Sequence, residues 1–140
     1  MLEFKPLTIE DKDWISAYYR KKDVSAAQFS FAANYVWRLA YPMAVCEQDG
    51  FFFAKVQIKK GYSFLCPVGD GDLKEAIEKI EGYCRENGLP VWIHGILEPD
   101  KEKLEQIFGT RMVFRSNRDD AEYIYEREAL KNLSGKRYHG

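Results

Sequence analysis

The stretch from Met43 to Pro67, MAVCEQDGFFFAKVQIKKGYSFLCP, constrains the fold more than any other part of the chain. Three β-rich runs are separated by Asp49-Gly50 and by Lys60-Gly61. Each pair ends in a glycine that tolerates the positive φ of a tight turn, so two successive hairpins and three antiparallel strands are predicted.

Helical patterns flank it on both sides. Thr8 and Asp11 resemble a capping box, opening a first helix that runs to about Arg20 and ends at the polar break Lys21-Lys22-Asp23. In AAQFSFAANYVWRLAY, Phe31, Tyr35 and Leu39 are spaced for one helical face, with Ser25 or Ser30 as the cap. Beyond the meander, Leu73, Ala76, Ile77, Ile80 and Cys84 form one face of an amphipathic helix whose other face carries Lys74, Glu75, Glu78 and Lys79. Asn87-Gly88 supplies a left-handed stop, and Leu89-Pro90 leads into the short strand VWIHG. Pro99 suits a first helical turn, with Leu104, Ile107 and Phe108 as the buried stripe and Gly109 as the stop. Two strand-like segments, RMVFRSN and AEYIYERE, flank Arg118-Asp119-Asp120. This order predicts one α+β (mixed α/β) domain over residues 1–130, with a central, mostly antiparallel sheet and helices on both faces, followed by a basic tail at 131–140.

At 140 residues one core is expected, burying roughly two thirds of the unfolded chain's surface. The 21 Lys and Arg nearly cancel the 22 Asp and Glu, so no global field draws the chain to DNA or to an anionic membrane. Nine Phe, nine Tyr and three Trp are many for this length, and some are expected to cover another chain or domain, including a second copy through exposed aromatics. Cys46, Cys66 and Cys84 have neither metal-ligand nor redox-motif spacing and read as small core or strand residues of a reducing, cytoplasmic setting. No apolar run reaches the ~20 residues that span a bilayer, and the first residues lack the pattern of a signal peptide, so a soluble chain is expected.

Pro67 to Ile77, PVGDGDLKEAI, is a glycine-containing turn that opens onto a helix, where unpaired amides suit an anion. The element order resembles the GNAT type of acyl-CoA N-acyltransferase. That family holds the coenzyme pyrophosphate on a turn of the form Gln or Arg, two residues, Gly, one residue, Gly or Ala. Aligned here, the pattern falls on Cys66 to Gly71, and Gly69 and Gly71 match as coenzyme-binding candidates. Cys66 replaces the polar or cationic position, Pro67 removes a donor, and Asp70 and Asp72 oppose an anion by about 1 to 4 kcal/mol each at ~4 Å. Asp72 with Glu75 reproduces a helix cap, so the cap outweighs the phosphate loop.

Elsewhere, His94 lies near the end of an apolar strand, where the GNAT resemblance places the acyl group. It is the candidate for a binding or general-base role, against the commoner role of a hydrogen-bonded structural histidine. His94 and His139 lack partners at metal spacing, so no metal is expected. No Gly-x-Ser-x-Gly turn, Walker loop or Cys-His pair supports a hydrolase or nucleotide triphosphatase. The adjacent acids Asp119 and Asp120 read as solvated. Lys136 and Arg137, beside Tyr138, make a basic patch suited to RNA phosphates such as those of tRNA, or else a frayed terminus.

Two blocks, Phe29 to Tyr41 (FSFAANYVWRLAY) and Arg118 to His139 (RDDAEYIYEREALKNLSGKRYH), resemble a bacterial family related to the catalytic domain of phosphatidylglycerol lysyltransferase. The matching positions include Phe29, Phe31, Asn34, Tyr35, Trp37, Arg38 and Tyr41, then Asp120, Tyr123, Tyr125, Leu130, Leu133, Gly135, Lys136 and Tyr138. The resemblance implies tandem GNAT-like halves, aminoacyl or acyl transfer, and acyl-CoA or aminoacyl-tRNA as donor in the full-length protein. The expectation is an N-terminal half whose partner is the second half of the same polypeptide. It would supply scaffold and part of a substrate cleft, have a degenerate coenzyme loop, and be inactive alone. Arg38 is expected either to anchor substrate or RNA or to make a structural cation-π contact. Two alternatives remain: a binding or oligomerisation module, and a small self-sufficient acyl-CoA-dependent N-acetyltransferase.

Overall fold

Asp49 and Gly50 both adopt positive φ, at 51° and 80°, and close the first predicted hairpin in register, Gln48 facing Phe51. The computed structural model of the chain describes residues 2–22, 29–59 and 61–109, with the backbone course of two further strands at 112–117 and 120–126. Ser25, Arg118, Asp119 and the tail residues Lys136, Arg137, Tyr138 and His139 lie outside the described residues.

Strand β1 (Lys5–Pro6) precedes helix α1 (Lys12–Tyr19) and helix α2 (Phe31–Trp37). The meander follows as β2 (Met43–Gln48), β3 (Phe51–Ile58) and β4 (Gly61–Leu65), continued by the two-residue β5 (Val68–Gly69). Helix α3 (Leu73–Asn87), β6 (Ile93–Ile96), helix α4 (Glu98–Phe108), β7 (Met112–Asn117) and β8 (Asp120–Glu126) complete the order. The sheet runs β1-β2-β3-β4-β6-β8-β7, with β5 also held on β3. Its pairs are antiparallel apart from β4 with β6.

The run FFFA at the start of β3 is buried at every position because both faces of the sheet are covered. Phe51 and Phe53 point to one side, joining Ala76, Ile77, Ile80 and Cys84 of α3 and Leu104 and Phe108 of α4. Phe52 and Ala54 point to the other, joining Ile15, Tyr18 and Tyr19 of α1 and Phe31 of α2. Each fully buried phenylalanine contributes roughly 1.5 to 3 kcal/mol relative to exposure. Helix α3 follows its pattern, and Gly88 at φ 66° ends it in the left-handed conformation. All three cysteines are buried, and desolvation pushes the Cys84 thiol up to about 12, well away from thiolate chemistry.

Four expectations shift. Leu39 is 84% exposed: α2 stops at Trp37, whose carbonyl accepts the Ala40 and Tyr41 amides, so Leu39 falls in the closing turn and off the buried face. One of the two expected caps of α2 holds: Ser30, whose hydroxyl accepts the Ala33 amide. Ile107 is exposed on the outer side of α4, because the face toward the sheet is already filled by Leu104 and Phe108. β6 begins at Ile93, two residues beyond the start of VWIHG, and Asp120 opens β8 instead of lying in the turn before it.

Asp11 ties the first elements together. It is buried, and its carboxylate accepts from Lys5 of β1, from the Thr8 amide at 2.9 Å and from Trp14 Nε1 at 2.9 Å. Burial opposes its charge, but the bonds from Lys5, Trp14 and Thr8 outweigh it and hold the carboxyl at about 2, against an ordinary 3.8. A depressed carboxylate stabilises the fold above the unfolded value, and that contribution disappears as pH falls through the folded one. Asp11→Asn is therefore expected to lose about 2 kcal/mol of unfolding free energy at pH 7. The deficit should close between pH 3.8 and about 2 in urea titrations; a deficit that persists in full at the lower pH would assign the loss to packing instead of charge.

Candidate functional site

β4 and β6 pair only at Phe64 with Ile93 and Leu65 with His94. The Phe64 amide donates to the Trp92 carbonyl and the Cys66 amide to the His94 carbonyl, both at 2.8 Å. Between Phe64 and Val68 the chain advances four residues while β3 advances three, from Lys55 to Phe52, so a one-residue bulge is inserted there. Past the bulge β5 stays on β3, whereas β6 keeps only its pairing with β8 on its other edge. The sheet parts, and a cavity of about 390 Å³ opens where it does, lined by Pro67, Val68 and the Gly69-Asp70-Gly71 turn and by Leu97, Pro99, Asp100 and Lys103.

The two candidate glycines line this cavity, and their own surroundings explain them. A Cβ at Gly69 would stand 2.2 Å from the Gly50 carbonyl oxygen and 2.7 Å from the Phe51 ring, and one at Gly71 would stand 2.9 Å from the same ring. Glycine lets the turn lie flat on Phe51. Asp72 caps α3, its Oδ1 accepting the Lys74 amide at 2.9 Å. Asp70 pairs with Lys21 at 2.8 Å across an exposed surface, where such pairs contribute little. Asp100 lies in the first turn of α4 and accepts a long bond from Cys66 Sγ at 3.9 Å. Both helices that start at this cavity thus carry acid in their first turns or caps, which answers their dipoles from within the protein.

A second, smaller opening of about 200 Å³ lies on the α2 side of the sheet, and His94 lines it with Asn34, Trp37, Tyr41, Met43 and Val56. His94 sits at the second position of β6, not at its end, opposite the last paired residue of β4. Its Nδ1 is 2.6 Å from the hydroxyl of Ser63, which is buried, leaving Nε2 as the ring's other polar atom. Desolvation holds the imidazole at about 4, so it is neutral at physiological pH. Tyr19 donates its hydroxyl to Asn34 Oδ1 at 2.6 Å. Arg38 is turned aside: its guanidinium lies 3.6 Å from the centre of the Tyr35 ring and donates to the Tyr35 carbonyl.

The fold therefore places Gly69 and Gly71 at one opening and His94 at another, with Arg38 at neither. Sequence reasoning missed Lys21, Asp100 and Lys103 at the first and Ser63 at the second. Only Ser63 carried a signal, as a polar residue between Tyr62 and Phe64 in a short strand. Among the described residues no cluster of His, Cys, Asp and Glu is arranged to hold a metal ion, and no helix is long and apolar enough to cross a membrane.

Because His94 stays neutral in the native state, the unfolded chain takes up its proton first, and stability is expected to fall as pH drops from 6.5 to about 4. The loss is up to about 3 kcal/mol. His94→Gln should flatten that slope in chemical denaturation at stepped pH, and an unaltered slope would remove His94 as its source.

Overlaid on the PaiA N-acetyltransferase of Thermoplasma acidophilum in complex with coenzyme A, the chain gives a TM-score of 0.52 at 10% identity, over 90% of this chain and 99% of that one. The fold is of the GNAT type. A conserved protein of unknown function from Bacteroides thetaiotaomicron VPI-5482 matches at TM-score 0.80 and 31% identity over 97% of this chain. The chain spans less than half of that protein, 46% of its length. No curated protein matches by sequence. The family described as phosphatidylglycerol lysyltransferase, C-terminal, matches residues 20–140, which take in the split in the sheet and both openings, and the chain belongs to that family.

Proposed function

We propose that the chain is one lobe of an aminoacyl- or acyltransferase, supplying architecture and part of a substrate cleft, with a coenzyme loop that has closed. An acyltransferase-type domain follows from the family and the fold. The finer reading is supported chiefly by the turn before α3: the room that Gly69 and Gly71 provide is taken by Phe51, and Asp72 occupies a leading amide of the helix. A diphosphate there would also meet Asp70 and Asp100, and of the two lining lysines, Lys21 and Lys103, the first is already paired with Asp70. These residues do not fit a coenzyme diphosphate. In this reading the transfer chemistry requires a second lobe of the same polypeptide, and the donor, an aminoacyl-tRNA or an acyl-CoA, is bound by the pair.

Calorimetric titration of the chain with acetyl-CoA tests this reading. No saturable heat is expected below about 1 mM; a dissociation constant of about 10 μM or tighter would instead identify a self-sufficient acetyltransferase.

A second reading, a self-associating module, is favoured by the apolar residues left exposed at the end of α2, where Trp37 is 60% and Tyr41 48% exposed beside Val36 and Leu39. Light scattering at high concentration separates the two: the lobe reading expects a monomer, and a dimer that Trp37→Ser dissolves would favour the module.

A further inference from the structure

Lys55 lies two residues after Phe53 on β3, so its half-buried side chain faces the α3 side of the sheet. Its ammonium donates to the Tyr83 hydroxyl at 2.7 Å. It also stands over three rings, 4.8 Å from the centre of Tyr62, 5.1 Å from that of Tyr83 and 5.3 Å from that of Phe4. We propose that Lys55 is a modification site that works as a latch: acylation of its amine by an acyl thioester loosens the N-terminal segment, Leu2 to Phe4, from the sheet. The latch is independent of the transferase reading.

The first argument is what holds the charge. Lys5, Lys21 and Lys79 each face a carboxylate, whereas Lys55 makes no ion pair among the described residues, and ring faces with one phenol oxygen answer its ammonium. A cation is drawn to the negative face of a ring, and partial burial strengthens the attraction. A neutral side chain of the same length keeps only the contact area. Acylation therefore removes the attraction to all three rings at once, whereas at Lys21 or Lys79 it would remove an exposed pair that contributes little.

The second is what the cage fastens. Phe4 brings the N-terminal segment into it, meeting Tyr83 edge-on with ring centroids 5.0 Å apart. Backbone pairing gives that segment little support, because β1 has two residues and one of them, Pro6, has no amide hydrogen. Leu2 is buried in the α3-side core and Lys5 is tied to Asp11, so the cage sits between two anchors. The residues ahead of Lys5 share a surface cleft with Cys46 and Glu47 of β2, and β1 is the last strand on its side of the sheet. Loosening them bares that end of the β2 edge, to which an extended chain can pair.

The chemistry is an ordinary acyl transfer. The ammonium loses one proton to solvent, and the nitrogen lone pair attacks the thioester carbonyl. The C–N bond forms as the C–S bond breaks, and the second proton lost by the nitrogen leaves with the thiolate as a thiol. The product amide N–H can still donate to Tyr83 but offers the rings no charge. Because Lys55 is half-buried, its amine is reached in the locally opened cage, and the acyl group then opposes reclosure.

The test compares the unmodified chain with one carrying Nε-acetyl-lysine incorporated at position 55, with Lys55→Met, which keeps bulk without charge, and with Lys55→Arg, which keeps the charge. The initial rate of chymotryptic cleavage after Phe4 is followed by mass spectrometry, and cleavage after the buried Phe53 measures global opening. The acetylated chain and Lys55→Met are expected to be cut after Phe4 at least about tenfold faster than the unmodified chain, and Lys55→Arg within about twofold of it. Cleavage after Phe53 should be the same in all four. Equal rates at Phe4, Lys55→Arg cut as fast as Lys55→Met, or an effect of the acetyl group that Lys55→Met does not share would each overturn the proposal. So would cleavage at Phe4 that rises only in step with cleavage at Phe53, which would make Lys55 a contributor to global stability and not a latch.

Discussion

A one-residue bulge between Phe64 and Val68, at the end of β4, divides the sheet. The parallel pairing of β4 with β6 ends at the bond from Cys66 to His94. The extra residue lets β5 stay on β3, while beyond that bond β6 is paired with β8 alone. Without the bulge, Val68 would not return to Phe52 and the turn before α3 would not reach Phe51. The two openings lined by Gly69 and by His94 adjoin this one irregularity, the first beyond the split and the second at its last intact pair.

The two openings differ in chemistry. At the larger, the starts of α3 and α4 bring acidic residues to the rim, and lysines stand beside them. On the α2 side, aromatic and aliphatic walls surround one neutral ring and one amide. The phenylalanines of β3 alternate between the two cores, so each face of the sheet has its own packing.

What could be read from the sequence was what neighbouring residues decide among themselves. Asp49-Gly50, the apolar stripe of α3, its Asp72 cap and its Gly88 stop all appear where local geometry puts them. Leu39 and Ile107 went astray because a helical stripe says nothing of where a short helix stops or which side of it the sheet fills. Ser63 and His94 meet through parallel pairing across a helical crossover, a contact with no local signature. The glycines of the turn were visible, but what they accommodate was not, since Phe51 belongs to a different hairpin arm. The block from Phe29 to Tyr41 marked the family although its pattern was not a site motif; in the fold it supplies Phe31 to one core and Asn34, Trp37 and Tyr41 to the smaller opening.

The contact between Phe51 and the turn above it also changes what kind of thermodynamic object that turn is. A phosphate loop ordered by its ligand gains stability logarithmically with ligand concentration and loosens when the ligand leaves. Here the ordering group is a side chain, tethered to the same polypeptide and present at fixed effective concentration. The turn's order is then set by the cohesion of the hydrophobic core beneath it, independent of metabolite supply, and it persists until that core itself opens.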